Sequence, residues 1–385
     1  MKTANPIIEQ ACDTERGQQV LAVIESRPCE GIPIWQINPM EWCMIDRLAG
    51  EPEGTYVKDP VPTYRKMLLN SDVCVIDQWI PDNPLSLGAR GFTPDAGRGA
   101  TTGAEQIVVD NMVIDSPEAA VAHMEKFSIP VFKERLANFD AVAHVAGWLD
   151  YEASCQEAIG DSMLKLPYSF PFPTFDYGTY GYENYFMAFA QYPDVIEQVF
   201  SANADLCAVM NRAVAPVFSE GRMPRYARLD HDMADSRGTL VRVEELDRLW
   251  FPHFERAIKP LLDAAVRAIW HCDGNLMAMV PRLLDVGIKG FQGFEYEHGM
   301  DYESICKMRT RDGDPLLIIA GVSVTSTLPY GTPDDVRKQM AWLVEHGPPG
   351  NLCLACSSSI TPGVPWENLQ ALVEGFHFYR TGGSP

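Results

Sequence analysis

A chain of 385 residues, 46% hydrophobic and 22% charged, has the composition of a globular protein that can bury a full core. Its net charge of −21 disfavours binding to nucleic acids and to anionic membranes. No apolar run reaches the roughly 18 residues needed to cross a bilayer. Ten scattered cysteines, with no secretory signal at the N-terminus, predict free thiols and a cytoplasmic location.

The first part of the chain predicts helices, two short strands and an insertion. Residues 1–30 predict an N-terminal helical extension, and residues 31–37 and 72–80 predict buried strands. Residues 84–112 are rich in Gly, Thr, Pro and Asp around one hairpin, which predicts an insertion or a long functional loop. Residues 116–127 then begin a helix with a serine cap and a proline in its first turn.

From about residue 140 onward, predicted strands alternate with predicted helices. The strand-like stretches are YARLDHDMAD, AIWHCDGN, IKGFQGFEYEHG, LLIIAGVSV and NLCLACSSSI. This rhythm is typical of parallel βα units, and polar residues cluster where the strands end. In a βα barrel the active site lies at the carboxyl ends of the strands. We therefore expect one α/β domain over residues 1–385 with its site at these ends.

AIWHCDGN is the stretch whose residues are best suited to catalysis or metal binding. Because side chains alternate along a strand, His271 and Asp273 would share one face and Cys272 would point the other way. A histidine and a carboxylate can hold Zn²⁺, or they can act as a proton-transfer pair. The alternative is a hydrogen-bonded histidine at a strand end, without catalytic function.

Three further strand ends carry candidate groups. Asp230 and Asp232 could bind a cation or a polar substrate, or could simply lie before a helix. In FEYEHG, Glu295 would place an inward carboxylate beside His271, although solvated carboxylates are the alternative. Cys356 shares a strand face with Ser358, in a stretch that also suits a turn of small residues.

An aromatic stretch at residues 168–192 contains more Tyr and Phe than a core helix requires. These rings could form the wall of a pocket for a flat ligand, or could pack in the core. The candidate substrate-binding residues are Tyr177 and Tyr180, together with Trp35, Gln36 and Trp79 from early strand ends. No GxGxxG or GxxxxGK[ST] loop follows a strand, which argues against dinucleotide and P-loop chemistry.

Several motifs together resemble the uroporphyrinogen decarboxylase superfamily, which includes corrinoid-dependent methyltransferases. They are YGYENYFMAFAQYPDVIEQVF, LDHDMAD, IWHCDGN, GVSVTSTLPYGTPDDV and PWENLQALVEGFHFY. The resemblance covers about residues 165–380 and implies a (β/α)8 TIM barrel, here with an N-terminal helical extension and loop insertions. Uroporphyrinogen decarboxylases carry an arginine-rich segment near the N-terminus, and this chain lacks it.

The methyltransferase branch binds zinc through a His-x-Cys pattern and a later cysteine. Here His271 matches the histidine, Asp273 replaces the first cysteine, and Ser358 stands at the later position. The resemblance implies a harder ligand set of His271, Asp273 and Glu295, with Cys356 as a fourth member. Such a set suits Zn²⁺ acting as a Lewis acid on a methoxy oxygen.

The resemblance thus implies transfer of a methyl group from a small methylated donor, expected to be a methoxylated aromatic, to cobalamin on a partner corrinoid protein. Asp230, Asp232 and His271 are the candidate catalytic residues, and a homodimer is left open. One alternative is a metal-free decarboxylase of a small acid that uses Asp232 and His271 for proton transfer. Another is a binding protein that has lost its chemistry.

Overall fold

The chain forms a wall of parallel strands with helices outside it. The structure is a computed structural model that describes residues 5–82, 106–168 and 170–384. Its strands are β1 (Val75–Ile76), β2 (Val108–Val109), β3 (Met112–Val113), β4 (Leu164–Lys165), β5 (Tyr226–Asp230), β6 (Ala234–Asp235), β7 (Gly238–Thr239), β8 (Arg267–His271), β9 (Gly290–Gln292), β10 (Leu317–Val322) and β11 (Leu352–Cys356).

The helices fall into two groups, those before β5 and those that alternate with the later strands. The first group is α1 (Pro6–Asp13), α2 (Glu15–Ile24), α3 (Trp42–Ala49), α4 (Thr55–Lys58), α5 (Pro60–Asn70), α6 (Pro117–His123), α7 (Ile129–Ala137), α8 (Ala141–Ile159), α9 (Tyr177–Tyr180), α10 (Tyr182–Gln191) and α11 (Pro193–Ser219). The second is α12 (Val243–Leu249), α13 (Phe251–Asp263), α14 (Val280–Asp285), α15 (Tyr302–Lys307), α16 (Thr327–Tyr330), α17 (Pro333–His346) and α18 (Trp366–Arg380). None of these described helices has the length and apolar character needed to cross a membrane.

The strands close into a barrel. Five of them are hydrogen-bonded in the order β11, β10, β9, β8 and β5, all parallel, and β1 pairs with β4 in the same sense. Single parallel bridges join these two sheets, at Ile34–Leu354, Trp35–Val75 and Tyr168–Arg228. Within the described residues the wall is therefore a ring of eight parallel segments, which confirms the (β/α)8 fold expected from the sequence.

The strand sequences explain why this arrangement is buried on both sides. All six residues of β10, LIIAGV, are buried, as are all five of β11. A strand that packs against the barrel interior on one face and against helices on the other reads as a continuous apolar run, without alternation. The predicted alternation of strands and helices is confirmed from β5 to α18.

One predicted boundary differs in the structure, and one long helical stretch is divided. The sequence of residues 243–266 predicts a helix kinked or split at Pro252 and Pro260. The structure divides it between Leu249 and Phe251, with Pro252 in the first turn of α13, while Pro260 lies inside that helix. The strand expected to continue through FEYEHG ends at Gln292. The helix over residues 116–127 begins as predicted, with the Ser116 hydroxyl accepting the N–H of Ala119.

The predicted N-terminal extension is held against the barrel by one buried arginine. Arg267 donates to the carbonyls of Val23 and Ile24, to the Ser26 hydroxyl, and to acceptors on Pro315 and Asn351. Burial lowers the pKa of Arg267 to about 10, because no carboxylate in the described part of the chain forms an ion pair with it. The extension is thus an integral part of the barrel base.

Part of the predicted insertion is a hairpin. β2 and β3 pair through a two-residue turn in which Asp110 and Asn111 have φ of 48° and 61°. Asp and Asn tolerate this left-handed conformation, which the tightest hairpin turns require. The rest of the predicted insertion, residues 84–105, lies outside the described residues.

Two glycines give opposite expectations for substitution by alanine. A Cβ at Gly321 of β10 would collide with the Ala355 carbonyl on β11, whereas a Cβ at Gly147 of α8 would meet no atom within 4 Å. We expect Gly321→Ala to lower the free energy of unfolding by roughly 1–3 kcal/mol. Gly147→Ala should raise it by about 0.5–1 kcal/mol, because alanine favours an exposed helix interior. Urea denaturation of both variants tests the pair, and equal effects would contradict the strand contact.

Candidate functional site

A polar cavity lies among the carboxyl ends of the barrel strands. Its volume is ≈ 220 Å³. Its described lining residues are Trp35, Gln36, Asn38, Gln78, Arg228, Asp230, His271, Asp273, Gln292, Cys356, Ser358 and Ser359. Four larger cavities, beside Trp366, Arg380, Phe378 and Pro216, have no histidine among their described lining residues. We assign the candidate site to the smaller cavity, because it combines a histidine with carboxylates where barrel enzymes place their chemistry.

His271 faces two carboxylates across this cavity. Its Nε2 lies 3.9 Å from Oδ1 of Asp230 and 3.8 Å from Oδ1 of Asp273. Both distances are too long for a hydrogen bond. Asp232 is held beside them, since its Oδ1 accepts the backbone N–H of Asp273 at 2.9 Å.

The geometry of three of these groups suits a metal ion. One ligand atom each from Asp232, His271 and Asp273 lie within 4.8 Å of one another. Oδ1 of Asp273 is buried and has no hydrogen-bond partner among the described residues. In a tetrahedral site with zinc–ligand distances of about 2.0 Å, the ligand atoms lie a little over 3 Å apart. A small movement of these three side chains toward one another would therefore allow all of them to bind one ion. The residues present therefore fit Zn²⁺.

The two aspartates of this group prefer the protonated form more than free aspartate does. Partial removal from water raises the pKa of Asp232, and the neighbouring Asp273 carboxylate raises it further. Burial also raises the pKa of Asp273, and the nearby Glu295 adds to the shift, although His271 opposes it. A dication between the two carboxylates would relieve this repulsion.

A glycine allows the His271 ring to occupy its position. Gly293 follows β9 with φ of +84°, and a Cβ there would lie 2.7 Å from Nδ1 of His271. The same left-handed residue ends the strand, so Glu295 does not continue it as predicted. Glu295 instead begins a 3₁₀ turn and accepts from Nδ1 of His298 at 2.7 Å.

The other predicted metal ligand, Cys356, does line the cavity at the end of β11. It is 4% exposed, and this burial raises the pKa of its thiol well above the usual range. Ser358 contacts one of the three candidate metal ligands, because its hydroxyl donates to Oδ2 of Asp273 at 3.2 Å. The structure thus brings Asp273 and Ser358 into direct contact.

A buried ion pair that the sequence did not predict contributes Arg228 to the cavity lining. Arg228 donates to both carboxylate oxygens of the buried Asp77, at 2.6 and 3.2 Å. Its Nη1 also donates to Asp230 at 3.0 Å and to Gln292 at 3.1 Å. The signal was an arginine in the buried strand YARLD, two residues before Asp230 and hence on the same face.

The predicted substrate-binding residues separate into two groups. Trp35 and Gln36 line the cavity. Trp79 does not, and it packs edge-on against Tyr64. The Tyr177 hydroxyl donates to the backbone carbonyl of Asp232, close to the site but outside the lining.

Tyr180 does not reach the cavity. It is 1% exposed, and its hydroxyl contacts Nδ1 of His123 and the Ser128 hydroxyl, each at 3.0 Å. The aromatic stretch therefore forms mainly a packed cluster around Phe175, whose ring contacts Phe186, Phe189 and Phe200.

His231 should make stability depend on pH. Its Nε2 accepts the backbone N–H of Phe175 at 2.8 Å, and burial lowers its pKa to about 4. The unfolded chain, with a histidine pKa of about 6.5, binds more protons between these values, so acid favours unfolding. We expect this residue to reduce the free energy of unfolding by up to about 2 kcal/mol from pH 7.5 to pH 5. The His231→Gln variant should lose that part of the decline in urea titrations, and parallel pH curves for both proteins would contradict it.

Comparisons with known proteins agree with this architecture. A methyltransferase from Methanosarcina mazei has the same fold, with a TM-score of 0.52 and 16% sequence identity over 94% of this chain and 98% of that chain. No curated protein matches the sequence. The model of the family described as uroporphyrinogen decarboxylase (URO-D) matches residues 176–379. This range contains the three candidate metal ligands and five of the barrel strands. With more than half of its length matched, the chain belongs to the uroporphyrinogen decarboxylase family.

Proposed function

We propose that the protein transfers a methyl group from a small O- or N-methylated donor to the cobalt of a partner corrinoid protein, with Zn²⁺ at the site. The observation that carries the proposal is the convergence of a ring nitrogen of His271 with the carboxylates of Asp232 and Asp273, two of these three residues lining the cavity. The fold shared with a methyltransferase agrees with it.

Asp232, His271 and Asp273 would hold the ion. Zn²⁺ supplies a Lewis acid that draws electron density from the heteroatom bearing the methyl group. Asp230 would orient the donor, because Tyr168 and Arg228 each donate to its Oδ2 at 3.0 Å and fix its carboxylate. Ser358 would hold Asp273 in the ligating orientation.

Glu295 and Cys356 are not included in the proposed ligand set. Glu295 is engaged by His298, and the buried thiol of Cys356 resists forming the thiolate that binds metal. A site of two carboxylates and one imidazole suits an oxygen or nitrogen leaving group better than activation of a thiol acceptor.

The direct test is methyl transfer to free cobalamin. The zinc-loaded protein is incubated with cob(I)alamin and a panel of methyl ethers and methylamines, and methylcobalamin formation is followed by absorbance. We expect turnover that Asp273→Asn reduces strongly and that Asp301→Asn, which changes only a helix cap, leaves intact. No turnover with any donor would reject the proposal.

A metal-free decarboxylase is the second candidate. The raised pKa of Asp232 supports it, because a carboxyl group that stays protonated can supply a proton to a carbanion. Release of CO₂ from small carboxylic acids by zinc-free protein, lost in Asp232→Asn, would favour this activity over methyl transfer.

A further inference from the structure

The cavity wall is polar almost throughout. Among its described lining residues only Trp35 and Cys356 lack a charged, hydroxyl, amide or imidazole group. Pockets for drug-sized ligands have about 300–1,000 Å³ and mostly apolar walls. This cavity, at ≈ 220 Å³, is smaller and more polar. A flat aromatic ring would leave many of these polar groups without partners.

Two glutamines are fixed so that their N–H groups are free. Oε1 of Gln36 accepts the backbone N–H groups of Asp77 and Gln78, at 2.9 and 3.0 Å. Oε1 of Gln292 accepts from Arg228 at 3.1 Å. Because these donors identify the oxygen in each amide, the other amide atom is Nε2, a double donor. In the described part of the chain neither Nε2 meets an acceptor.

One residue that lines the same cavity carries an acceptor without a partner among the described residues. Asn38 donates through Nδ2 to the Ser359 hydroxyl at 3.0 Å, and its Oδ1 is buried with no partner among the described residues. An unpaired buried carbonyl is costly, and a ligand N–H or O–H would remove that cost. Gln36, Gln292 and Asn38 thus form an amide cluster with two free donors and one free acceptor.

We infer that the methyl donor is a small, polar, non-aromatic compound, recognised by the amide cluster. An oxygen of the donor would accept from Nε2 of Gln36 and Gln292. An N–H or O–H of the donor would reach Oδ1 of Asn38 once that buried amide turns toward the cavity. That the recognised compound is the methyl donor rests on the proposed function. That the cavity binds a small polar compound rests on the cavity residues alone. It replaces the aromatic donor expected from the tyrosine-rich stretch, since Tyr180 and Tyr177 do not line the cavity.

The test compares two methyl ethers by calorimetric titration of the zinc-loaded protein. Methoxyacetamide carries the acceptor and the donor that the amide cluster requires, and methoxybenzene carries a ring instead. We expect methoxyacetamide to bind at least about tenfold more tightly, since each matched hydrogen bond contributes roughly that factor. Equal or tighter binding of methoxybenzene, or no binding of either probe, would overturn the inference.

Glutamate variants isolate the free donors. Gln292→Glu and Gln36→Glu keep the oxygen that accepts from the protein, replace the free N–H groups with a carboxylate oxygen, and add one negative charge. Each should weaken methoxyacetamide binding about tenfold. Gln198→Glu adds the same charge on the exposed face of α11 and should change nothing. Circular dichroism confirms folding, and having two independent variants keeps the test valid if one is unstable. Unchanged binding in both would contradict recognition by the amide cluster.

These titrations contain no cobalamin, so the two proposals fail separately. A retained preference for methoxyacetamide without methyl transfer would reject the proposed function and leave the recognition intact. Methyl transfer from aromatic ethers, insensitive to both glutamate variants, would reject the inference and leave the proposed function standing.

Discussion

His271→Ala is expected to reduce bound zinc from about one ion per chain to less than about a tenth of that, because it removes the only nitrogen ligand of a three-residue site. The two remaining carboxylates would bind a hard ion weakly and would repel each other more strongly. Elemental analysis of purified protein, dialysed against a defined zinc concentration, measures the change. The variant should stay folded, because Nδ1 of His271 makes no hydrogen bond among the described residues.

His298→Ala is the matched control for this loss. That histidine also lies at the carboxyl end of the barrel, but it contacts Glu295 and none of the three proposed ligands. It should retain the full zinc content. If His271→Ala kept its zinc, or if both variants lost it equally, the assigned ligand set would be wrong.

Arg228→Met is expected to lower the free energy of unfolding by about 3–5 kcal/mol. The side chains of Arg228 and Asp77 are 5% and 0% exposed, so removing the guanidinium leaves a carboxylate buried without its cation. The loss also frees Asp230, which shares the same arginine. Chemical denaturation followed by fluorescence measures this change.

Two further variants separate burial from charge in this prediction. The double variant Asp77→Asn with Arg228→Met should recover part of the loss, because no uncompensated charge remains. Arg248→Met removes an exposed partner of Glu245 and should cost less than about 1 kcal/mol. A loss in Arg228→Met no larger than in Arg248→Met would show that the buried pair contributes little.

The sequence predicted the part of the site that depends on strand order. A polar residue that follows an apolar strand faces the mouth of a βα barrel, so His271, Asp273 and Asp230 could be placed from YARLD and AIWHCD alone. Glu295 could not, because the left-handed conformation of Gly293 ends the strand before the predicted alternation reaches it. Arg228 was missed because its partner, Asp77, comes from a strand about 150 residues earlier.

The tyrosine-rich stretch shows a second limit of pattern reasoning. Aromatic density indicates that rings are together, but it does not say whether they face a cavity or one another. Tyr177 stacks on Tyr182 at 4.5 Å, and Tyr180 is buried beside His123. By contrast, the amides of Gln36 and Gln292 have no distinctive spacing, and only the folded geometry shows that their N–H groups are free.

The barrel wall is paired unevenly around its circumference. β5, β8, β9, β10 and β11 form a continuous ladder, whereas the segments at residues 34–35, 75–76 and 164–168 are joined by two-residue contacts and single bridges. Amides on this short-paired side should exchange with deuterium sooner than those of β10, because fewer backbone bonds must open. The pairing of the ring is therefore shortest at these three segments, and His271, on β8, lies in the continuous ladder away from them. Opening confined to those segments would leave the β5–β8 pairing intact, and with it the spacing of the proposed zinc ligands Asp232, His271 and Asp273.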